Sequence, residues 1–131
     1  MKSEILYLFI GGGTGTVLRY AVQVGLHERI TPYSFPWSTL AVNILGSLLI
    51  GIFYTLGSHL HFSTETRLLL TTGLCGGFTT FSTFSYDSLL LLKQGHYLSF
   101  LLYLAGSLVL GITAAFLGAF FTENAFFLRK T

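Results

Sequence analysis

Between Gly73 and Ser85 the chain reads Gly73-Leu74-Cys75-Gly76-Gly77-Phe78-Thr79-Thr80-Phe81-Ser82-Thr83-Phe84-Ser85, with three glycines and five hydroxyl side chains in thirteen residues of a strongly apolar region. Glycine loosens a helix, and Ser and Thr can hydrogen-bond the backbone groups so released. In hydrocarbon, irregular backbone survives only where it is buried in protein or lines a cavity. A segment of this kind marks a place where something polar binds or passes. Asn43, with Thr39 one turn before it and Ser47 one turn after, adds a second polar feature. Spacing of four sets the three on one helix face. Asn offers two N–H donors and an acceptor, whereas Ser and Thr offer one O–H each. Polar residues of this type often tie membrane helices together, but the length of the stripe and the glycine–hydroxyl segment favour contact with a polar species.

Six further side chains bear on the chemistry. Phe81 and Phe84, three apart, share a helix face. Such pairs usually face lipid or core, yet an aromatic ring has a positive edge. Edges turned into a pore would touch an anion without trapping it as a fixed lysine would. Tyr103 and Ser107 lie four apart on another apolar stretch. Arg19 and Asp87 are charges within apolar sequence, where charge is costly and often functional. For Arg19 two readings stand level: snorkelling to an interface, or drawing anions to an aqueous vestibule. Asp87 is read as a capping or interface residue.

Other chemistries fail on their spacing. Gly11-Gly12-Gly13-Thr14-Gly15 is followed by Thr16 rather than the last glycine of GxGxxG, and no Walker lysine follows. His27, His59, His61 and His96 all fall in expected loops, so no pair is placed to hold a haem. No Ser-xxx-Lys arrangement or intramembrane carboxylate pair suggests hydrolysis, so the chain is not expected to be an enzyme. Cys75 is the only cysteine, which excludes an intrachain disulfide and a cysteine metal cluster. It is read as a small packing residue. No nucleic-acid partner is expected.

The elements that must position these residues follow from composition. The 131 residues are 52% hydrophobic and 9% charged, with mean hydropathy +0.70, against about 25% charged in a soluble domain. The class is an all-α integral membrane protein. A spanning helix needs about 20 residues, so the chain has room for four spans and short connections. These are read as 5–26, 37–56, 66–92 and 97–121, one transmembrane domain over 1–131. His27-Glu28-Arg29 with Pro32 and Pro36, then 58–65, then Lys93-Gln94-Gly95-His96 form the connections. The N-terminal segment is too short for a signal-peptide n-region, so the first span is expected to stay. Gly11-xxx-Gly15, Gly73-xxx-Gly77 and Gly106, Gly111 and Gly118 favour close helix packing.

Charge leaves orientation nearly undecided. Four spans put Lys2, Arg67, Arg129 and Lys130 on one side and Arg29, Lys93 and Arg19 on the other, four cations against three. The positive-inside bias almost cancels. Such a chain can insert both ways, and two opposite copies can pair about an axis in the membrane plane. The competing reading is that one or two terminal cations still decide the topology.

In combination, these segments resemble the Fluc (CrcB) family of fluoride channels. The resemblance rests on the 11–15 glycine run leading to Arg19-Tyr20, on Pro36-Trp37-Ser38-Thr39-Leu40-Ala41-Val42-Asn43-Ile44-Leu45-Gly46, on the specific 73–85 segment, and on Tyr103 and Ser107. It covers all four spans in order. It implies a broken third helix, a dual-topology antiparallel homodimer in the bacterial inner (plasma) membrane, and two fluoride pathways. It also implies a structural Na+ at the dimer centre, held by backbone carbonyls of Gly76 and Thr79. Asn43, Phe81 and Phe84 would line the pathway with Thr80, Tyr103, Ser107 and Thr39, and Arg19 would sit at the vestibule. Gly111 stands where some members have a further serine, and Asp87 where some have glutamate.

The physics suits that implication. Fluoride is small and strongly hydrated, so close donors must replace its water. Neutral donors and ring edges let it leave again, and a central cation raises the local potential for anions. With no carboxylate centrally placed for proton coupling and no nucleotide site, passive conduction is the simplest mechanism. An inside-negative potential, worth about 2.3 kcal/mol per charge per 100 mV, drives an anion outward and so protects the cytoplasm. Two other classes stay open: a four-span exporter of guanidinium or organic cations, which wants a carboxylate deeper in the first span than Glu4, and a cofactor-anchoring subunit of a larger complex.

Overall fold

A chain in hydrocarbon must satisfy its backbone N–H and C=O groups internally, which holds even the 11–15 glycine run in a helix. The computed structural model describes residues 2–27 and 35–128. Arg29, Pro32, Arg129 and Lys130, used above for loops and charge, lie outside the described residues. The elements are α1 (Lys2–His27), α2 (Trp37–His59), α3 (Thr64–Arg67), a π-helical stretch (Leu68–Cys75), α4 (Gly76–Phe78), α5 (Phe81–Lys93) and α6 (Tyr97–Leu128). Among the described residues there is no strand. Three helices, α1, α2 and α6, are long and apolar enough to cross a membrane.

Local chemistry sets the ends. Ser63 caps α3, its Oγ accepting from Thr66 N–H at 3.2 Å. Beyond α5, Gly95 takes a left-handed φ of 76°. There Gly95 N–H donates to the Leu92 carbonyl at 3.1 Å and His96 N–H to the Leu91 carbonyl at 2.9 Å, the paired closure of a Schellman end. The last helix extends past the expected limit at 121. Its 32 residues rise about 48 Å at 1.5 Å each, well over a hydrocarbon core of about 30 Å. In the added turns Glu123 pairs with His59 at 2.7 Å, and Phe126 stacks on the same ring at 4.4 Å. These contacts hold polar sequence in the helix.

Close backbone approach, rather than a large core, holds the helices together. A Cβ on Gly15 would collide with the Leu74 carbonyl, and one on Gly77 with the Gly12 carbonyl. The glycine pairs of α1 and of the 73–77 stretch therefore face each other. On the other flank α2 packs along α6, where a Cβ on Gly118 would strike the Leu48 carbonyl. Lipid offers no hydrophobic force between helices, so small residues that permit such contact carry the association. The apolar core is correspondingly small: Leu40, Leu91 and Tyr103, flanked by Phe35, Ile44, Phe84 and Phe100. Most large apolar side chains of α1 and α6 point outward, a surface that would aggregate in water and suits lipid. The protein is a multi-pass membrane protein.

The expected span 66–92 is assembled from unlike parts. Its first part, the π-helical stretch and α4, packs on α1, while α5 packs on α6 and α2.

Candidate functional site

At Thr79 and Thr80 the backbone leaves the helical region, with φ/ψ of −80°/159° and −152°/116°. Two residues of extended chain would orphan several amides and carbonyls, and the neighbouring side chains take up part of that demand. Asn43 on α2 accepts from Thr80 N–H through Oδ1 at 2.7 Å and donates to the Thr80 carbonyl through Nδ2 at 3.1 Å. An amide side chain thus pairs with one residue's backbone as a neighbouring strand would. Thr80 Oγ1 accepts from Thr83 N–H at 3.1 Å and caps α5. Gly46, one turn beyond Asn43, makes room: a Cβ there would collide with the Thr79 methyl.

These contacts redirect two amides. Thr80 N–H, the partner a continuous helix would give the Gly76 carbonyl, is spent on Asn43. Thr83 N–H, the matching partner of the Thr79 carbonyl, is spent on Thr80 Oγ1. The Thr79 carbonyl instead accepts from Arg19 Nη1 at 3.3 Å, across 60 positions of sequence. Arg19 is half-buried and turned inward toward the interruption.

Beside it lies an open cleft of about 340 Å³, lined in part by Asn43, Ser47, Gly76, Thr79, Thr80 and Phe81. Gly76 is exposed, and Phe81 is 79% exposed, so the polar interruption opens on the outer face of the protomer. Among the described residues no group of three His, Cys, Asp or Glu could hold a metal ion. Released carbonyls are the oxygen donors that a hard cation would use here.

Tyr103 and Thr39 meet at Asp87 on the far side of Phe84. Its ring lies 5.6 Å from Phe81 and 5.0 Å from Tyr103, both tilted. Tyr103 is fully buried, and its OH donates to Asp87 Oδ2 at 3.2 Å. Thr39 Oγ1 donates to the same oxygen at 2.8 Å. Ser107 Oγ is buried with no protein partner, a free hydroxyl where most buried groups are satisfied.

The polar stripe of α2 therefore divides. Asn43 serves the interruption, Thr39 serves Asp87, and Ser47 Oγ returns to the Asn43 carbonyl at 2.7 Å. Asp87, read from sequence as a capping or interface residue, is the acceptor shared by Thr39 and Tyr103. No spacing along the chain signals this, because the three lie on α2, α5 and α6 and meet only by packing.

Comparison with known proteins adds an independent line. Residues 6–119 match the family model described as CrcB-like protein, Camphor Resistance (CrcB). A protein of Phocaeicola vulgatus named fluoride-specific ion channel FluC is 57% identical over 123 residues, covering 94% of this chain and 100% of the relative. Proteins of the same name from Bacteroides fragilis and Leptospira interrogans are 52% and 44% identical, each covering at least 92% of this chain and 97% of the relative.

Proposed function

From the premise that this chain belongs to the CrcB-like family, we propose that it is a fluoride-selective channel of the bacterial inner membrane that lets fluoride leave the cytoplasm passively. The observation that carries the reading is the interrupted helix at Thr79–Thr80, pinned by Asn43 and open to a cleft beside Phe81. The relatives' shared name supplies the ion.

In this reading the segment 64–93 crosses the bilayer as one interrupted span, the third of four in the protomer. Two copies pair in opposite orientation, each covering the other's exposed interruption. The ion passes the edges of Phe81 and Phe84 between the Thr80 and Asn43 region and the Thr39, Tyr103 and Ser107 group. Asn43 Nδ2 has a second N–H besides the one given to Thr80, and the unpartnered Ser107 hydroxyl is a ready donor. Neutral donors can replace water around a small anion without binding it so tightly that it stays. Arg19, close to the cleft, draws anions to the entrance.

A structural Na+ fits the released carbonyls of Gly76 and Thr79, since both have lost the amide a continuous helix would supply. Bound there, the cation would supply positive potential near the pathway and neutralise converging carbonyl dipoles of two subunits.

The test is flux. Purified protein in liposomes is loaded with fluoride and with chloride, and efflux is followed with ion-selective electrodes for wild type and Phe81→Ile. Fast fluoride loss without chloride loss, slowed at least tenfold by the substitution, is the expected result. Folded dimer that releases no fluoride rejects the reading and directs attention to organic-cation exchange.

A further inference from the structure

Thr79 presents a carbonyl whose occupant in the structure is itself a cation. Its helical partner, Thr83 N–H, is diverted to Thr80 Oγ1, and Arg19 Nη1 donates to it at 3.3 Å. Guanidinium is weakly hydrated and always charged, so it can occupy such a half-buried position where an ammonium would not. We propose that Arg19 is a built-in competitor for the cation site, a residue that sets how tightly and how selectively the site at Gly76 and Thr79 takes Na+. This inference rests on the Na+ reading above and goes beyond it in assigning the occupant that Na+ must displace.

A carbonyl oxygen has two lone pairs, so geometry alone would let Na+ and Arg19 share Thr79. Electrostatics opposes sharing, because a guanidinium and Na+ on one oxygen are like charges a few ångströms apart. Cation binding therefore moves the guanidinium off Thr79. The tether to α1 is short, since α1 packs on the π-helical stretch and α4 through Gly11 and Gly15. The released group stays beside the cleft. Arg19 and Na+ are accordingly alternatives at Thr79, and a guanidinium displaced from that carbonyl is free to face entering anions. One side chain couples the central cation to the anion entrance.

The experiment separates this inference from the reading beneath it. Wild-type protein and the Arg19→Gln and Arg19→Lys variants, purified in detergent with N-methyl-D-glucamine as the only cation, are titrated with Na+. Binding of radioactive Na+ at equilibrium and the melting midpoint are both followed. Arg19→Gln, which removes the competing charge, is expected to half-saturate at a Na+ concentration at least tenfold below wild type. Arg19→Lys, which keeps a charge, should fall between the two. A saturable wild type with an unshifted or weaker Arg19→Gln overturns the competitor role and leaves the Na+ site standing. No saturable Na+ binding in any of the three overturns the site and the competitor together. If Arg19→Gln does not fold, 15N spectra of the wild-type arginine side chains decide the matter. The Arg19 signals are expected to shift on addition of Na+ and not of more N-methyl-D-glucamine, and an unchanged Arg19 signal at saturating Na+ refutes the displacement.

Discussion

Replacing Asn43 with alanine removes both hydrogen bonds that hold Thr80 out of the helix. Thr80 is 6% exposed, so its stranded N–H and carbonyl have little access to water. A buried polar group left unpaired loses about 1–3 kcal/mol, and two such groups set an upper range of about 2–6. Interhelical hydrogen bonds in membranes measure smaller, averaging about 0.6 kcal/mol, because the chain finds other partners. One is available here: Thr80 N–H can return to the Gly76 carbonyl and rebuild a helical turn. The expected loss is therefore about 2–3 kcal/mol, or roughly 6–12 °C in melting midpoint on the scale of globular domains of this size. Asn43→Asp separates the two bonds. It keeps the acceptor for Thr80 N–H, but sets a carboxylate against the Thr80 carbonyl and a negative charge beside the cleft. Both variants should be purified and compared by melting in detergent and by fluoride efflux from liposomes. Asn43→Asp is expected to lose flux more completely than Asn43→Ala, even where it melts no lower. An Asn43→Ala protein that melts within 1 °C of wild type and conducts normally would refute the view that this amide maintains the interruption.

Two more predictions follow from packing and from the Asp87 cluster. Gly118→Ala drives a Cβ into the Leu48 carbonyl, whereas Gly106→Ala meets nothing within 4 Å in the protomer. The first is expected to destabilise by about 2 kcal/mol or more and the second to leave melting within about 0.5 kcal/mol; equal effects would contradict the α2–α6 contact. Thr39→Val and Tyr103→Phe each remove a hydroxyl from Asp87 Oδ2, at about 1–3 kcal/mol apiece. Because both donate to one oxygen, a double-mutant cycle should return a coupling of at least about 0.5 kcal/mol, and strict additivity in unfolding measurements would show that the three groups do not act as a unit.

How much of this was legible in the chain varies with the range of the interaction concerned. Composition alone requires the membrane class, since 9% charge and long apolar runs leave no soluble alternative. The motifs at 11–20, 36–46 and 73–85 were enough to recognise the family, and the match over residues 6–119 agrees. Caps and turns are equally local: Ser63, Thr80 and Gly95 act on backbone within five positions. Helix ends were read less well. The last helix runs seven residues further than expected because Glu123 and Phe126 find His59 on another helix.

Periodicity placed Thr39, Asn43 and Ser47 on one face, and that placement fixed a direction but no partners. Only the fold sends Asn43 to Thr80, Thr39 to Asp87 and Ser47 back along its own helix. Likewise the sequence posed Arg19 as either snorkelling outward or serving a vestibule, and the structure turns it onto the Thr79 carbonyl. The reason is physical. Hydropathy and glycine content act on each segment's own transfer into lipid and its own backbone, so they are written along the chain. A hydrogen bond between residues 37 or 60 positions apart exists only once glycines on α1 and α2 have let the helices close to contact, and that distance is set by the whole assembly.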